Sequence, residues 1–102
     1  MMEESNISPI RSDFEQIKKQ NESGSEYWAS RDLCVVLGYS TYQKFTRTIN
    51  KAIAIANHKG LNTAEHFNHT VEMVRLGSGS FREVENIHLS RMACLIIAEN
   101  AD

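Results

Sequence analysis

The stretch that most limits what this chain can become lies near its end: Leu89-Ser90-Arg91-Met92-Ala93-Cys94-Leu95-Ile96-Ile97-Ala98-Glu99-Asn100. From Met92 to Ala98 no polar side chain interrupts it. Ser90 is a good N-cap, because a serine hydroxyl accepts from an orphan amide of the first helical turn. A helix that is apolar on nearly every side is a buried one, and this run is well short of the ~20 residues needed to cross a bilayer. It predicts a buried C-terminal helix with the earlier elements wrapped around it. At 102 residues and 41% hydrophobic, the chain supports one such core and one domain.

The earlier elements follow from their punctuation. Residues 1–11 are polar and without period, and are expected to form a flexible tail ahead of a single domain over 12–102. Ser12-Asp13-Phe14-Glu15 is a capping box opening a short helix through Lys19, gripped by Phe14 and Ile17. After the turn at Asn21–Ser25, Glu26-Tyr27-Trp28-Ala29 reads as a short aromatic strand. Ser30 then caps a helix from Arg31 to Leu37, closed by Gly38. Ser40-Thr41-Tyr42-Gln43 is a second capping box, opening a long helix to His58 or Lys59. Leu61 to Glu65 is a connector, and two strands, Phe67 to Leu76 and Phe81 to Ile87, form a β-hairpin about Gly77-Ser78-Gly79-Ser80. The expected class is α+β, a small helix-rich domain with a hairpin and one short strand around the last helix.

Net charge is -2, so the bulk balance does not announce a polyanion partner. Its distribution is more informative. Ser40 to Arg82 holds Lys44, Arg47, Lys51, Lys59, Arg75 and Arg82 against only Glu65 and Glu72, while the segments on either side are acidic. Lys44, Arg47 and Lys51 stand at i, i+3 and i+7, one stripe away from the apolar face of Tyr42, Phe45, Ile49, Ala52, Ile53 and Ala56. The bland reading is a solvated helix face. Against it, the long helix has no carboxylate to neutralise the stripe, and Ser40 and Thr41 at its head offer hydroxyls and amides to a phosphate. At the hairpin tip, Arg75 and Arg82 are expected to face one another. Opposed like charges repel unless an anion lies between them, either Glu72 and Glu83 or a phosphate approached by the Ser78 loop.

Other chemistry finds little support. Gly77-Ser78-Gly79-Ser80 lacks the lysine and helix of a P-loop. His66 and His69 would point to opposite faces of a strand, and no cysteine pair completes a zinc site. Cys34 and Cys94 sit in apolar runs, as core thiols do. No nucleophile, base and carboxylate share a recognisable spacing, so neither an enzyme nor a cofactor or metal is expected. Trp28, Tyr27, Tyr39 and Tyr42 admit a base-stacking reading, with Trp28 better placed in the core. The start, Met-Met-Glu-Glu, has no apolar segment behind it, so a cytoplasmic, reducing setting without a membrane is expected.

Two segments resemble a known family. Tyr27-Trp28-Ala29-Ser30-Arg31-Asp32-Leu33, with Leu37-Gly38-Tyr39-Ser40, is similar to the opening signature of Bro-N domains, the KilA-N-related modules of baculovirus repeated proteins and phage antirepressors. The closer likeness is to the bacterial DNA-damage-inducible protein D family. It continues in Phe45 and Ile49 to Ala52, then His66-Phe67, Met73-Val74, Gly77-Ser78-Gly79, Arg82-Glu83-Val84 and Leu89-Ser90-Arg91-Met92-Ala93-Cys94; Met92 stands where the pattern has an aromatic, and Ala101 where it has glycine. The resemblance implies the N-terminal part of a longer protein. It also implies a DNA-binding or regulatory role in the SOS-type damage response, or contact with a recombinase filament.

Two functions are carried forward. In the first, Lys44, Arg47, Lys51, Arg75, Arg82, Ser40 and Ser78 contact the phosphates of single- or double-stranded DNA, with Gln43, Thr48 and Asn50 near the bases. In the second, the domain is a protein-interaction module acting on a recombinase filament or a repressor. A bare apolar side on the last helix would favour a homodimer.

Overall fold

In the computed structural model, which describes residues 13–101, the elements meet the α+β expectation. The tail at 1–11 and the capping residue Ser12 lie outside the described residues. A helical turn at 13–16 (α1) rests Phe14 and Ile17 on the core. The helix does not continue to Lys19 as its capping box suggests. Lys19–Gln20 is a strand (β1), paired antiparallel with Glu26–Ala29 (β2), Lys19 opposite Tyr27. The cause is the turn between them: Asn21 Oδ1 accepts from the amides of Ser23 and Ser25, which folds the chain back and offers β1 a partner.

Ser30–Val36 (α2) follows without a break, and Tyr42–His58 (α3) after a tight reversal. At that reversal Gly38 takes φ +81°, its amide donating to Val35 and that of Tyr39 to Cys34. This is a Schellman closure, whose left-handed residue is best met by glycine. The segment read as a connector contains one more helical turn, Thr63–His66 (α4), capped by Asn62. Then come Phe67–Arg75 (β3), Phe81–Leu89 (β4) and Arg91–Asn100 (α5). The four strands lie in the order β1-β2-β4-β3.

Trp28, Phe67, Ile87 and Leu89 present one face of the sheet's base to α3 and α5, whose Phe45, Ile49, Ala52, Ala56, Ala93, Cys94, Ile96 and Ile97 complete a single core. Trp28 is fully buried, stacked on Phe14 at 4.5 Å and donating its indole N–H to the Phe14 carbonyl. Ser90 caps α5 as expected, accepting from the Ala93 amide. The helix is not apolar-buried all round, however. Met92 and Leu95 are 45% and 54% exposed, because i and i+3 share the side turned away from Ala93, Cys94, Ile96 and Ile97.

Both serine caps assigned at α2 and α3 are corrected. Thr41, not Ser40, caps α3, accepting from the Lys44 amide at 3.1 Å. Ser30 lies inside α2 and its hydroxyl turns to the sheet. There it donates to Asn86 Oδ1 at 2.8 Å, accepts from the Ile87 amide, and meets Tyr42 Oη at 2.7 Å. Asn86 Oδ1 also takes the Ile87 amide at 2.9 Å and the Arg31 amide at 3.3 Å, and its Nδ2 donates to Glu72. Arg31 stacks on the Tyr42 ring at 4.0 Å and donates to the Glu85 carbonyl. α2, α3 and β4 are thus joined through one buried polar junction.

Replacing Asn86 by leucine keeps its branching but adds bulk, leaves the Arg31 amide without its acceptor, and takes one partner each from Ser30 and from the Ile87 amide. Urea unfolding should show a loss of about 3 kcal/mol, from the unpaired amide, the lost bonds and the added bulk. A second prediction concerns Cys94, whose thiol burial pushes up from 9.0 to about 12. The folded thiol stays protonated where the unfolded one ionises, so its contribution is complete below pH 9 and is lost as pH rises towards 12. Between pH 8 and pH 10 the native chain should lose about 1 kcal/mol more than Cys94→Ala in the same urea series.

Candidate nucleic-acid interface

α3 follows its sequence pattern closely. The apolar residues of one face enter the core, and Lys44, Arg47 and Lys51 are exposed on another. Ser40 is exposed at its head, where Leu37, Gly38, Tyr39, Ser40, Lys44 and Arg47 line one open depression. The Schellman turn at Gly38 brings Ser40 beside the first two cations of the stripe; Lys51 continues it one turn further. Thr41 spends its hydroxyl on the cap. Of the residues considered for base contacts, Gln43 and Asn50 are exposed. Thr48 is buried, its hydroxyl 2.9 Å from Tyr39 Oη, and is not available.

The cations divide into two sets. Lys18 pairs with Glu15, and Lys19 with Asp32 at 3.0 Å, which raises the lysine's pKa. Arg91 grips Glu26 through two bonds of 2.9 and 3.1 Å and reaches Glu15. Those bonds hold the Glu26 carboxyl below, and the guanidinium above, their ordinary values. Arg91 also lies over the Trp28 ring at 5.0 Å. Glu15, Glu26 and Asp32 are therefore answered by close cations. By contrast, among the described residues no carboxylate comes within ion-pair distance of Lys44, Arg47, Lys51, Lys59, Arg75 or Arg82.

The hairpin tip departs from expectation. Register sets Arg82 opposite Val74 and Arg75 opposite Phe81. Directly opposed residues share a face and successive pairs alternate, so the two arginines point to opposite faces and need no anion between them. Glu72 instead serves Asn86 and approaches His88. Ser78 bonds Ser80 across the loop, where Gly79 takes φ +91° and donates to the Leu76 carbonyl. The structure thus gathers Ser40, Lys44, Arg47 and Lys51, and leaves Arg75, Arg82 and Ser78 on a separate projection.

Sequence reading named Tyr39, one wall of the depression, only as a stacking candidate and missed Leu37, although the glycine signal for the turn that builds the wall was present. Two of the histidines have structural partners: His66 Nδ1 lies 2.6 Å from Ser90 Oγ, and the ring of His88 stacks on Tyr27. Cys34 and Cys94 are both buried and free. Among the described residues, no group of three or more His, Cys, Asp or Glu is placed to hold a metal ion. Nor is any helix among them long and apolar enough to cross a membrane.

No protein-family model matches the chain, and no solved structure matches it. A curated relative does: DNA damage-inducible protein D of Escherichia coli (strain K12), 37% identical over 89 residues. Those residues make up 87% of this chain and 32% of the relative, so the chain spans about a third of that protein's length. At that identity, sustained across most of its own length, this chain is homologous to a part of DNA damage-inducible protein D.

Proposed function

We propose that this domain binds DNA in a bacterial response to DNA damage, holding phosphates along the outer face of α3. The observation that carries the reading is the stripe of Lys44, Arg47 and Lys51, exposed and unanswered by any carboxylate among the described residues. Like charges at i,i+3 and i,i+4 each cost a helix a few tenths of a kcal/mol, and nothing in the fold recovers that cost. Ser40, in the same depression as Lys44 and Arg47, adds a hydroxyl donor for a phosphate oxygen. Contacts of this kind set position and affinity without reading sequence. The biological setting comes from the homologue, whose name describes a protein induced by DNA damage. The Bro-N likeness of Tyr27 to Ser40 points the same way.

The competing role, a protein-interaction module without DNA contact, draws on one specific observation. The distal hairpin carries exposed apolar side chains on both faces, Val71, Met73 and Phe81 on one and Val74 on the other.

Fluorescence anisotropy with single- and double-stranded oligonucleotides separates the readings. With three cations engaged, log affinity against log salt should fall with a slope of about -2.7 on duplex and about -2.1 on single strands. Lys44→Glu/Arg47→Glu/Lys51→Glu should abolish binding while circular dichroism stays unchanged. A flat salt response, or equal binding by the variant, would assign the stripe to solvent.

A further inference from the structure

β3 and β4 are paired over nine residues each, yet β2 joins β4 only at His88 and Leu89. Every residue from Val71 to Glu83 is exposed, so the outer part of the hairpin leaves the body as an arm, and the molecule is 49 Å long against 33 and 31 Å across. An isolated two-stranded ribbon is marginal in water and ordinarily needs a packing partner. The arm's two faces differ. The face continuous with the core side of the base carries, from base to tip, the pairs His69/Ile87, Val71/Glu85, Met73/Glu83 and Arg75/Phe81. Val71, Met73 and Phe81 on it are 64%, 61% and 59% exposed.

Charge along this face is polarised. Arg75 stands at the tip and lacks a carboxylate partner among the described residues. Glu83 and Glu85 stand nearer the base, where with His69, Thr70 and Val71 they line an open depression. Glu85 has only a distant neighbour, His69 at 3.9 Å. A face positive at the tip and negative towards the base, with Val71, Met73 and Phe81 beside the charges, can meet itself turned end for end so that Arg75 reaches the other copy's carboxylates.

We infer that this face of the hairpin arm docks a second copy of the chain, the two arms packing antiparallel with Arg75 of each copy entering the Glu83/Glu85 depression of the other. A two-fold axis at the Met73/Glu83 pair sets Met73 against its own counterpart and Glu83 beside its own, each Glu83 one pair from the partner copy's Arg75, which answers it. It also brings Phe81 and Arg75 to the level of the partner's Val71 and Glu85, since each lies one pair from the axis. Such an isologous contact closes at two copies and cannot propagate into a fibre. The arm face is small beside a standard interface, so the dimer is weak and reversible.

Sedimentation equilibrium of the full 102-residue chain tests this, from low micromolar to about millimolar concentration. A monomer–dimer equilibrium is expected. Arg75→Glu and Glu85→Arg should each raise its dissociation constant by at least about tenfold, as severed interfacial charge pairs do. The double variant Arg75→Glu/Glu85→Arg should dimerise more tightly than either single variant, because the exchanged charges meet again across the axis while Glu83 stays in place. All these positions are exposed, and circular dichroism checks that the fold is kept. A chain monomeric throughout the range, a dimer that neither reversal weakens, or a double variant no tighter than the single ones would each overturn the proposal and leave the arm for a different protein or for nucleic acid.

Discussion

The hydrogen bonds that converge on the Asn86 carboxamide decide where the rest of the domain sits. Asn86 is 3% exposed, in a small protein that buries few other polar side chains. A buried carboxamide is costly unless its oxygen and nitrogen are both engaged, and here they are, by Ser30, Arg31, Ile87 and Glu72. Because these partners come from α2 and from both strands of the hairpin, the bonds form together only in one arrangement of those elements. Tyr42 extends the junction into α3, through its hydroxyl to Ser30 and its ring to Arg31. Apolar contacts alone would let α3 rotate on the core at modest cost. Tyr42 and the Thr41 cap fix its head, and so fix which face of the helix looks outward.

That fixed face bears the unanswered cations, and the way charge is spent elsewhere explains how an acidic chain comes to have one. Arg91 and Lys19 are structural cations: they fasten β2, α1 and the start of α2 by pairing with Glu26, Glu15 and Asp32. Exposed pairs of this sort add little stability, but they remove field. The charges of Glu15, Glu26 and Asp32 are screened by close partners, whereas Lys44, Arg47 and Lys51 project theirs. A net charge of -2 therefore says little about the potential that a phosphate meets at α3.

How much of this was legible in the sequence follows from the range of each signal. Periodicity carried α3 and its stripe, and the glycine closure at Gly38 carried the end of α2, because these depend on residues within a turn or two. The hairpin was legible for the same reason, its loop residues demanding the geometry they adopt. What failed depended on partners distant in the chain. Ser30 looks like a cap from its neighbours alone, and only the fold brings Asn86, 56 residues away, to claim its hydroxyl. Ser40 and Thr41 are equally good caps, and the Schellman turn decides between them. Seven apolar residues in a row cannot say which side of α5 will stay bare. Arg75 and Arg82 were put face to face by counting outward from the loop, and an error of one residue in register moves a side chain to the other face of a ribbon.

The stripe and the arm have a joint consequence. On the proposed reading, three phosphate contacts from one α3 make a weak, salt-sensitive grip, and the field of a nearly neutral domain fades within a Debye length of about 8 Å in physiological salt. A single copy therefore gains little from long-range steering. Two copies held through their arms, as proposed, would present two stripes related by a two-fold axis, and the second would engage at the effective concentration set by the first. Affinity then grows with the length of nucleic acid available, without any contact to a base. On this view the apolar arm and the basic helix belong to one device: the arm makes the grip bivalent, and the unpaired cations supply each half of it.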